Sequence, residues 1–234
     1  MTQILVTYID HMGSDLSVVN AARVSFGKKS KFLVTTTDEV DESGIHYAHM
    51  HFDLDDKDKR LIRYLAKNKH ISPFGHAFAS FHVKAPIFVA RQLVKHKFLR
   101  WNEVSRRYVD DEPEFYVPNV WRGRSADKKQ GSDGVVDVSE GYFHADELGN
   151  TIGQVTLDLY NNLLAEGVAP EQARMVLPQS TMTEWYWSGS LDAFASMCQL
   201  RCKPDTQYES RVVADQISEK MQELFPVSWA ALTQ

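Results

Sequence analysis

Residues 72–108, which decide the fold, read SPFGHAFASFHVKAPIFVARQLVKHKFLRWNEVSRRY. The Pro and Gly of residues 72–76 predict a turn. Residues 78–85 alternate apolar and polar side chains, which predicts a half-buried strand. Pro86 at the first helical position then predicts a helix over residues 86–98. The stretch therefore joins one strand of a sheet to a helix that packs on it.

Strand and helix patterns alternate on both sides of this stretch. We predict strands at 2–8 and 180–187, and helices at 15–24 (with Asp15 as N-cap), 56–69, 151–165, 190–202 and 206–223. Residues 28–52 are polar and aperiodic, and residues 110–150 read as a long loop, with 133–150 as an insertion. The alternation predicts one α/β or α+β domain over residues 1–234.

The composition is typical of a globular protein from a reducing compartment. The formal net charge of −5 argues against a surface built to bind a polyanion, so a phosphate site must come from a local cluster of Lys and Arg. Cys198 and Cys202 are too few for a disulfide framework and poorly spaced for zinc, so we interpret them as structural thiols and expect no metal site. No secretion signal or membrane segment is predicted. We expect a cytoplasmic protein, in a bacterium or in one infected by a virus.

The most unusual feature is a cationic stretch at residues 91–108. Its cations are Arg91, Lys95, Lys97, Arg100, Arg106 and Arg107. Such a run usually forms a solvated helix face. Here only one acid, Glu103, accompanies the cations, polar residues such as Gln92 and His96 lie among them, and the stretch runs from a helix into a loop, where binding residues concentrate. The pattern predicts a site for a phosphate and a pyrophosphate-bearing cofactor.

The same stretch resembles the signature of the flavin-dependent thymidylate synthases. That family carries Arg-His-Arg, seven residues and Ser, within the frame Asn-Glu-x-Ser-x-Arg-Tyr. This chain has Lys95-His96-Lys97, seven residues and Ser105, and residues 102–108 fill the frame. Further segments are similar to segments of the family: ARVSFGKK, SPFGHAFASFHVKAPIFVARQ, PEFYVPNVWR, SADKKQGS and EQARMVLPQS. The resemblance therefore spans nearly the whole chain.

The resemblance implies which residues bind each ligand. It implies FAD contacts from His76, Lys95, His96, Lys97, Asn102 and Glu103. It implies dUMP contacts from Gln92, Lys95, Glu103, Val104, Ser105, Arg106, Arg107, Arg174 and Arg201. Among these, Arg201 is implied to polarise the uracil ring, because a cation beside N3 and its carbonyls stabilises the negative charge that builds as C5 becomes nucleophilic.

The resemblance also implies a fold, a reaction and an assembly. The fold is a central, mostly antiparallel sheet flanked by helices. In the reaction NADPH reduces FAD, the methylene of 5,10-methylenetetrahydrofolate moves to C5 of dUMP, and hydride from the flavin completes the methyl group of dTMP. The family is homotetrameric, with active sites at subunit interfaces, and we expect the same here. We expect no nucleic-acid partner and no membrane.

Departures from the family pattern leave a related reaction open. Lys-His-Lys at 95–97 keeps the charge of Arg-His-Arg but lacks its bidentate forks. Arg100 and Arg106 replace small residues, Asp205 stands where the family often has His, and residues 190–192 depart from a flavin-contacting segment. These changes also suit another flavin- and folate-dependent transfer to pyrimidine C5, such as hydroxymethylation.

A protein of another class, one that binds single-stranded nucleic acid, is the third hypothesis. Phe98, Trp101 and Tyr108 lie among the cations, as in base-stacking surfaces. The net acidity and the whole-chain resemblance weigh against it. A nucleophilic Cys, as in the other class of thymidylate synthase, is not indicated, because Cys198 and Cys202 bracket Arg201 on a predicted helix without a matching Pro-Cys context.

Overall fold

The computed structural model describes residues 3–40, 42–43, 45–108, 111–126, 131–136 and 145–234. Its strands are, in chain order, β1 (Leu5–Met12), β2 (Leu33–Val40), β3 (His46–Asp53), β4 (Phe78–Pro86), β5 (Arg100–Glu103), β6 (Arg122–Arg124), β7 (Ser132–Val135) and β8 (Met182–Ser190). Its helices are α1 (Asp15–Arg23), α2 (Asp56–Lys67), α3 (Ile87–Leu93), α4 (Ala145–Ala165), α5 (Pro170–Ala173), α6 (Leu191–Arg201), α7 (Tyr208–Leu224) and α8 (Pro226–Thr233).

A four-stranded antiparallel sheet in the order β1-β4-β8-β5 forms the centre of the fold. The alternation of β4 decides which face is buried. Phe81 and Val83 lie in the core, whereas His82 and Lys84 lie on the opposite face. Helices α3, α6 and α7 contact this sheet. The predicted central antiparallel sheet with flanking helices is therefore confirmed.

Aromatic side chains fill the space between the sheet and the helices. Trp187 on β8 meets Phe194 on α6 with ring centroids 5.8 Å apart, and Phe81 on β4 meets the same ring at 5.3 Å. All three side chains are completely buried. Because edge-to-face rings stabilise a core beyond their buried area, this cluster fixes α6, and with it Arg201, against the sheet.

The sequence pattern predicted Asp15 as the N-cap of its own helix, and this prediction is wrong. Ser14 is the N-cap of α1, and the buried Asp15 carboxylate instead accepts hydrogen bonds from the backbone N–H groups of Val227 and Ser228, both at 2.8 Å. Both N–H groups lie in the first turn of α8, where the backbone N–H groups of a helix have no partner within the helix. Asp15 thus ties the two ends of the chain together. Helix α8 itself was not predicted.

The helix predicted over 86–98 is shorter than expected. It ends at Leu93, with Pro86 as its N-cap rather than its first residue. Residues 100–103 then pair with β8 as an edge strand. Tertiary pairing has overridden the helical periodicity here, and the cationic stretch is bent around the edge of the sheet.

The regions predicted as irregular contain β-hairpins. Strands β2 and β3 pair as a hairpin within the predicted excursion at 28–52, and β6 pairs with β7 in the predicted loop. The insertion predicted at 133–150 is wrong at both ends, because 133–135 belong to β7 and 145–150 to α4, while 137–144 lie outside the described residues.

Within the described part of the chain, no helix is long and apolar enough to cross a membrane.

Candidate active site

Arg201, the last residue of α6, is held over the C-terminal part of α3. Its Nε donates to Nε2 of His96 at 3.2 Å, and its Nη2 donates to the backbone oxygen of Gln92 at 3.3 Å. Nη1 lies 3.5 Å from Gln92 Oε1. Partial burial lowers the pKa of Arg201 from its ordinary value, but a guanidinium stays charged. The structure therefore brings three predicted site residues together around one fixed cation.

His96 acts as an uncharged acceptor in this group. Burial, with a smaller contribution from the neighbouring Arg201, lowers the pKa of its imidazole to about 4. At neutral pH the ring is therefore neutral, and the hydrogen bond from Arg201 to Nε2 places its proton on Nδ1. A neutral ring leaves the positive charge of Arg201 undiminished and orients it.

Gln92 joins Arg201 to helix α7. Its Nε2 donates to Oε1 of Gln207, and its Oε1 accepts from Oγ of the buried Ser210 at 3.4 Å. The side-chain amide of Gln92 is thus fixed from two sides before any ligand binds. Gln207 and Ser210 were not among the predicted site residues, and their sequence pattern shows only an ordinary helix start.

A cavity of about 830 Å³ opens beside this group. Its charged or amide lining side chains include Gln92, Lys95, Arg122, Arg201 and Glu209. The volume lies in the range of sites for nucleotide-sized ligands. The ion pair between Arg122 and the buried Glu209 neutralises one of the three cations, so Lys95 and Arg201 give the cavity its positive charge.

Glu209 holds the outer wall of the cavity in place. It pairs with Arg122 on β6 and is hydrogen-bonded to Tyr116, whose pKa is raised to about 12, first by burial and then by the charge of Glu209. The Arg122 guanidinium also lies over the Tyr208 ring, 4.3 Å from its centroid. The sequence analysis missed this cluster, because its members lie in a segment read as a loop and at the start of a helix.

A second group of predicted residues follows the sheet edge at β5. Glu103 accepts hydrogen bonds from Thr183 Oγ1 at 2.8 Å and from Trp101 Nε1 at 3.1 Å. Ser105 Oγ accepts from Arg107 Nε at 3.1 Å. Glu103 and Arg107 are exposed, as are Val104 and Tyr108. These contacts are local, and within the Ser-x-Arg motif the Arg107 side chain is exposed whereas Ser105 is half-buried.

The remaining predicted residues lie at separate places. Arg174 is exposed at the end of α5, where its Nε donates to the backbone oxygen of Glu171 at 3.3 Å. His76, Lys97 and Asn102 are also exposed. Among the described residues, no hydrogen bond or ion pair joins any of these four to Arg201.

The sheet itself separates Asn102 from the core side of the fold. Asn102 is paired with Tyr186 across β5 and β8, and Tyr186 with His82 on β4. His82 belongs to the face of the sheet opposite Phe81 and the packed helices. Since paired residues share a face, Asn102 lies on the open face of the sheet. One chain alone does not bring all predicted residues into one pocket.

The two cysteines behave as structural thiols. Cys198 is buried and its Sγ lies 3.6 Å from the backbone oxygen of Ala214, while Cys202 is half-buried. A hydrogen bond with Cys202, together with burial, holds the pKa of the Cys198 thiol well above its ordinary value. Such a thiol is a poor nucleophile.

Within the described residues, no group of three His, Cys, Asp or Glu side chains is arranged to hold a metal ion.

The fold is an antiparallel sheet covered by helices, and its cavity has the size and the positive charge that suit a small anionic ligand such as a nucleotide. The model of the thymidylate synthase complementing protein family matches residues 7–227. The chain belongs to this family.

Relatives of known name cover nearly the whole chain. A flavin-dependent thymidylate synthase from Thermus thermophilus is 38% identical over 226 residues, which are 97% of this chain and 74% of that protein. One from Thermosipho africanus is 35% identical over 223 residues, 95% of this chain and 88% of that protein. The resemblance read from the sequence is confirmed.

Solved structures share the fold. The UMP/dUMP methylase PolB from Streptomyces cacaoi, bound with 5-Br dUMP, superposes with a TM-score of 0.80 at 31% identity, covering 100% of this chain and 96% of that one. The same methylase bound with 5-Br UMP gives a TM-score of 0.80 at 30% identity. These similarities favour an enzyme of nucleotide methylation over a nucleic-acid-binding protein.

Proposed function

We propose that this chain is a flavin-dependent thymidylate synthase, which converts dUMP to dTMP with FAD, NADPH and 5,10-methylenetetrahydrofolate. One observation carries the proposal most directly: Arg201, oriented by His96 and Gln92, lines a cavity of about 830 Å³ together with Lys95. A fixed cation beside a nucleotide-sized cavity stabilises the negative charge that develops on a pyrimidine ring when C5 becomes nucleophilic.

Arg201 acts on the uracil ring in this proposal. Its guanidinium presents N–H donors to the ring's carbonyl oxygens and stabilises the negative charge that spreads onto them as C5 becomes nucleophilic. Gln92 and His96 occupy other N–H groups of the same guanidinium, so little reorientation is needed when the substrate binds. Lys95 supplies a second cation in the cavity.

The phosphate end of dUMP is assigned to the exposed half of the site. Ser105, Arg107 and Arg174 offer a hydroxyl and two guanidinium groups, which suit phosphate oxygens. The remaining proposed dUMP contacts are Glu103, Val104 and Arg106. Among the described residues, the buried Nε of Arg106 has no hydrogen-bond partner.

The residues around 95–97 fit a flavin dinucleotide. Lys95 and Lys97 are exposed cations for a pyrophosphate, and the Phe98 ring beside them is 84% exposed. His76, His96, Asn102 and Glu103 are the other proposed FAD contacts. These residues would hold the flavin, which, once reduced by NADPH, would supply the hydride for the methyl group. The raised pKa of Cys198 supports a route without a thiolate nucleophile.

We infer a homotetramer with active sites between subunits. Arg201 and Asn102 lie on different faces of the fold, and Arg174 is exposed elsewhere, so one FAD and one dUMP can meet all proposed contacts only if several copies contribute. The proposed location is the cytoplasm of a bacterium or of an infected bacterium. No membrane or nucleic-acid partner is part of the proposal.

The test combines an absorption spectrum with product analysis. The purified protein should show a flavin spectrum that bleaches with NADPH, at a rate changed by dUMP. With the folate added, mass spectrometry should find dTMP. UMP is tested beside dUMP, because a structural relative is a methylase of both. Hydroxymethyl-dUMP as the product, or a protein that takes up no FAD, would contradict the proposal.

A further inference from the structure

The side-chain amides of Gln92 and Gln207 form a pair in the wall of the cavity that Arg201 also lines. Both glutamines line the cavity and both are partly buried. Gln92 Nε2 donates a hydrogen bond to Gln207 Oε1. Gln207 is not among the residues that the proposed function assigns to the nucleotide, so its amide has no role there yet.

The orientation of the Gln92 amide follows from Arg201. A guanidinium has N–H donors and no acceptor, so the amide atom that faces it must be the oxygen. Gln92 Oε1 accordingly lies 3.5 Å from Arg201 Nη1, and the hydroxyl of the buried Ser210 donates to the same oxygen at 3.4 Å. Both lone pairs of this oxygen therefore have a donor, and Gln92 turns its Nε2 towards Gln207.

The orientation of the Gln207 amide follows in turn. Because Gln92 presents an N–H, Gln207 must present its oxygen, and Oε1 accepts this hydrogen bond. An amide oxygen has two lone pairs, so one lone pair of Gln207 Oε1 remains for a ligand. Among the described residues, the second N–H of Gln92 Nε2 has no acceptor. One donor and one acceptor thus lie side by side in the cavity wall.

This donor and acceptor match one edge of a uracil ring. Uracil has a carbonyl oxygen, which accepts a hydrogen bond, next to N3–H, which donates one. Cytosine has the reverse at the same positions, because its amino group donates and its N3 accepts. A cytosine ring on the glutamine pair would set donor against donor and acceptor against acceptor. Since both amides are partly buried, little water is available to relieve this mismatch.

We propose that Gln207 is a specificity-determining residue, whose Oε1 accepts a hydrogen bond from N3–H of the pyrimidine and so selects uracil nucleotides over cytosine nucleotides. Ser210 is a positioning residue that acts through Gln92. This role rests on the proposed function, in which Gln92 and Arg201 contact the pyrimidine ring of dUMP. Gln207 adds an acceptor, which Arg201 and Lys95 cannot supply because both have only donors.

The place of Gln207 in the fold makes it suitable for substitution. Gln207 is the N-cap residue of α7, but its side chain makes no capping hydrogen bond. A substitution there therefore removes no side-chain cap from the helix. Thermal unfolding of each variant, together with its flavin spectrum, checks that the fold and the FAD content are unchanged.

Nucleotide binding to the FAD-loaded protein tests the role of Gln207. Calorimetric titration gives the dissociation constants of dUMP and dCMP, and the unaltered protein should prefer dUMP by at least about a hundredfold. Gln207→Leu has a similar volume but no acceptor, so this preference should fall by about tenfold or more. Equal weakening of both nucleotides by Gln207→Leu, or an unaltered protein that binds both equally well, overturns the proposal.

Three further variants separate an acceptor from a merely structural side chain. Gln207→Glu keeps an oxygen that accepts from Gln92 and from N3–H, so the preference for dUMP should stay within about threefold of that of the unaltered protein. Ser210→Ala removes one donor from Gln92 Oε1 and should lower the preference by about threefold. Gln222→Leu, near the other end of α7, should leave it unchanged. A loss of preference in Gln207→Glu as large as that in Gln207→Leu also overturns the proposal.

These outcomes distinguish the role of Gln207 from the proposed function. A flavoprotein that makes dTMP, and whose preference for dUMP does not depend on Gln207, contradicts only the role of Gln207. A preference for dUMP that depends on Gln207, without dTMP formation, contradicts only the proposed function. A protein that binds neither nucleotide contradicts both.

Discussion

The site around Arg201 and the segment around Arg107 differ in how one chain supports them. Arg201 is partly buried and donates to His96 and to Gln92, which Gln207 and Ser210 hold in turn. Arg107 is exposed, and among the described residues its side chain contacts only its neighbours, with a hydrogen bond to Ser105 and the guanidinium over the Tyr108 ring. Under the proposed function, one chain therefore pre-organises the half of the site assigned to the pyrimidine ring and leaves the half assigned to the phosphate exposed.

The largest expected effect is at the pre-organised half. Arg201→Gln removes the cation proposed to stabilise the negative charge of the uracil ring, so turnover should fall by a factor of about 10²–10³. Steady-state dTMP formation measures it, with the flavin spectrum as a check on FAD content. Arg63→Gln, an exposed arginine on α2, is the matched control and should stay within about twofold of the unaltered protein.

Substitutions in the outer wall of the cavity should have the next largest effect, which is on the free energy of unfolding. Glu209→Ala leaves Arg122 with an uncompensated, partly buried charge and should reduce the free energy of unfolding by about 3 kcal/mol. Arg122→Met added to Glu209→Ala should recover part of this loss, because the unpaired charge is then gone. Urea unfolding measures both. A double variant as unstable as the sum of the single ones would show that the pair is not coupled.

A substitution in the exposed half of the site should have a smaller effect, which is on KM for dUMP and not on kcat. Arg107→Lys keeps the charge but loses the bidentate fork, so KM for dUMP should rise by about tenfold with little change in kcat. Arg91→Lys, a nearby exposed arginine that is not among the proposed contacts, serves as control. A fall in kcat with unchanged KM would place Arg107 at the reacting ring instead.

The smallest effect concerns the pH dependence of stability through His96. Burial lowers the pKa of its imidazole to about 4, against 6.5 ordinarily. Between these values the unfolded chain binds the proton and the folded chain does not, so stability falls as the pH drops from 6.5 towards 4. His96→Gln, which retains an acceptor, should show a shallower loss of stability over this window. Unfolding midpoints at several pH values measure it, and equal slopes would contradict a neutral His96.

The sequence predicted much of the sheet and part of the site. The alternation in 78–85 and the apolar pattern of 180–187 correspond to β4 and β8, because both strands have one buried face. The helix predicted through residue 98 was wrong, since pairing of β5 with β8 competes with helical periodicity. The β2–β3 hairpin was interpreted as polar and aperiodic, because Thr35, Thr36 and Thr37 interrupt the hydrophobic alternation on which such predictions rest.

The support of the site was less predictable than its members. Arg201, His96 and Gln92 were predicted from the family resemblance, and the structure brings them together. Glu209 and Arg122 are 87 residues apart in sequence, and nothing local marks them as partners. Asp15 was predicted as the cap of its own helix, whereas its carboxylate binds the start of α8, more than 200 residues away. Long-range hydrogen bonds of this kind have no local sequence signature.

The central claim is that this chain is a flavin-dependent thymidylate synthase whose two half-sites come from different copies. Subunit mixing tests this claim most directly. Arg201→Gln and Arg107→Gln chains are prepared separately and co-refolded, and dTMP formation is measured. Because mixed oligomers contain some sites with both arginines intact, activity should recover to on the order of a tenth of the unaltered enzyme, well above the sum of the two variants. Activity no greater than that sum, from mixtures shown to contain both chains in one particle, would contradict the claim.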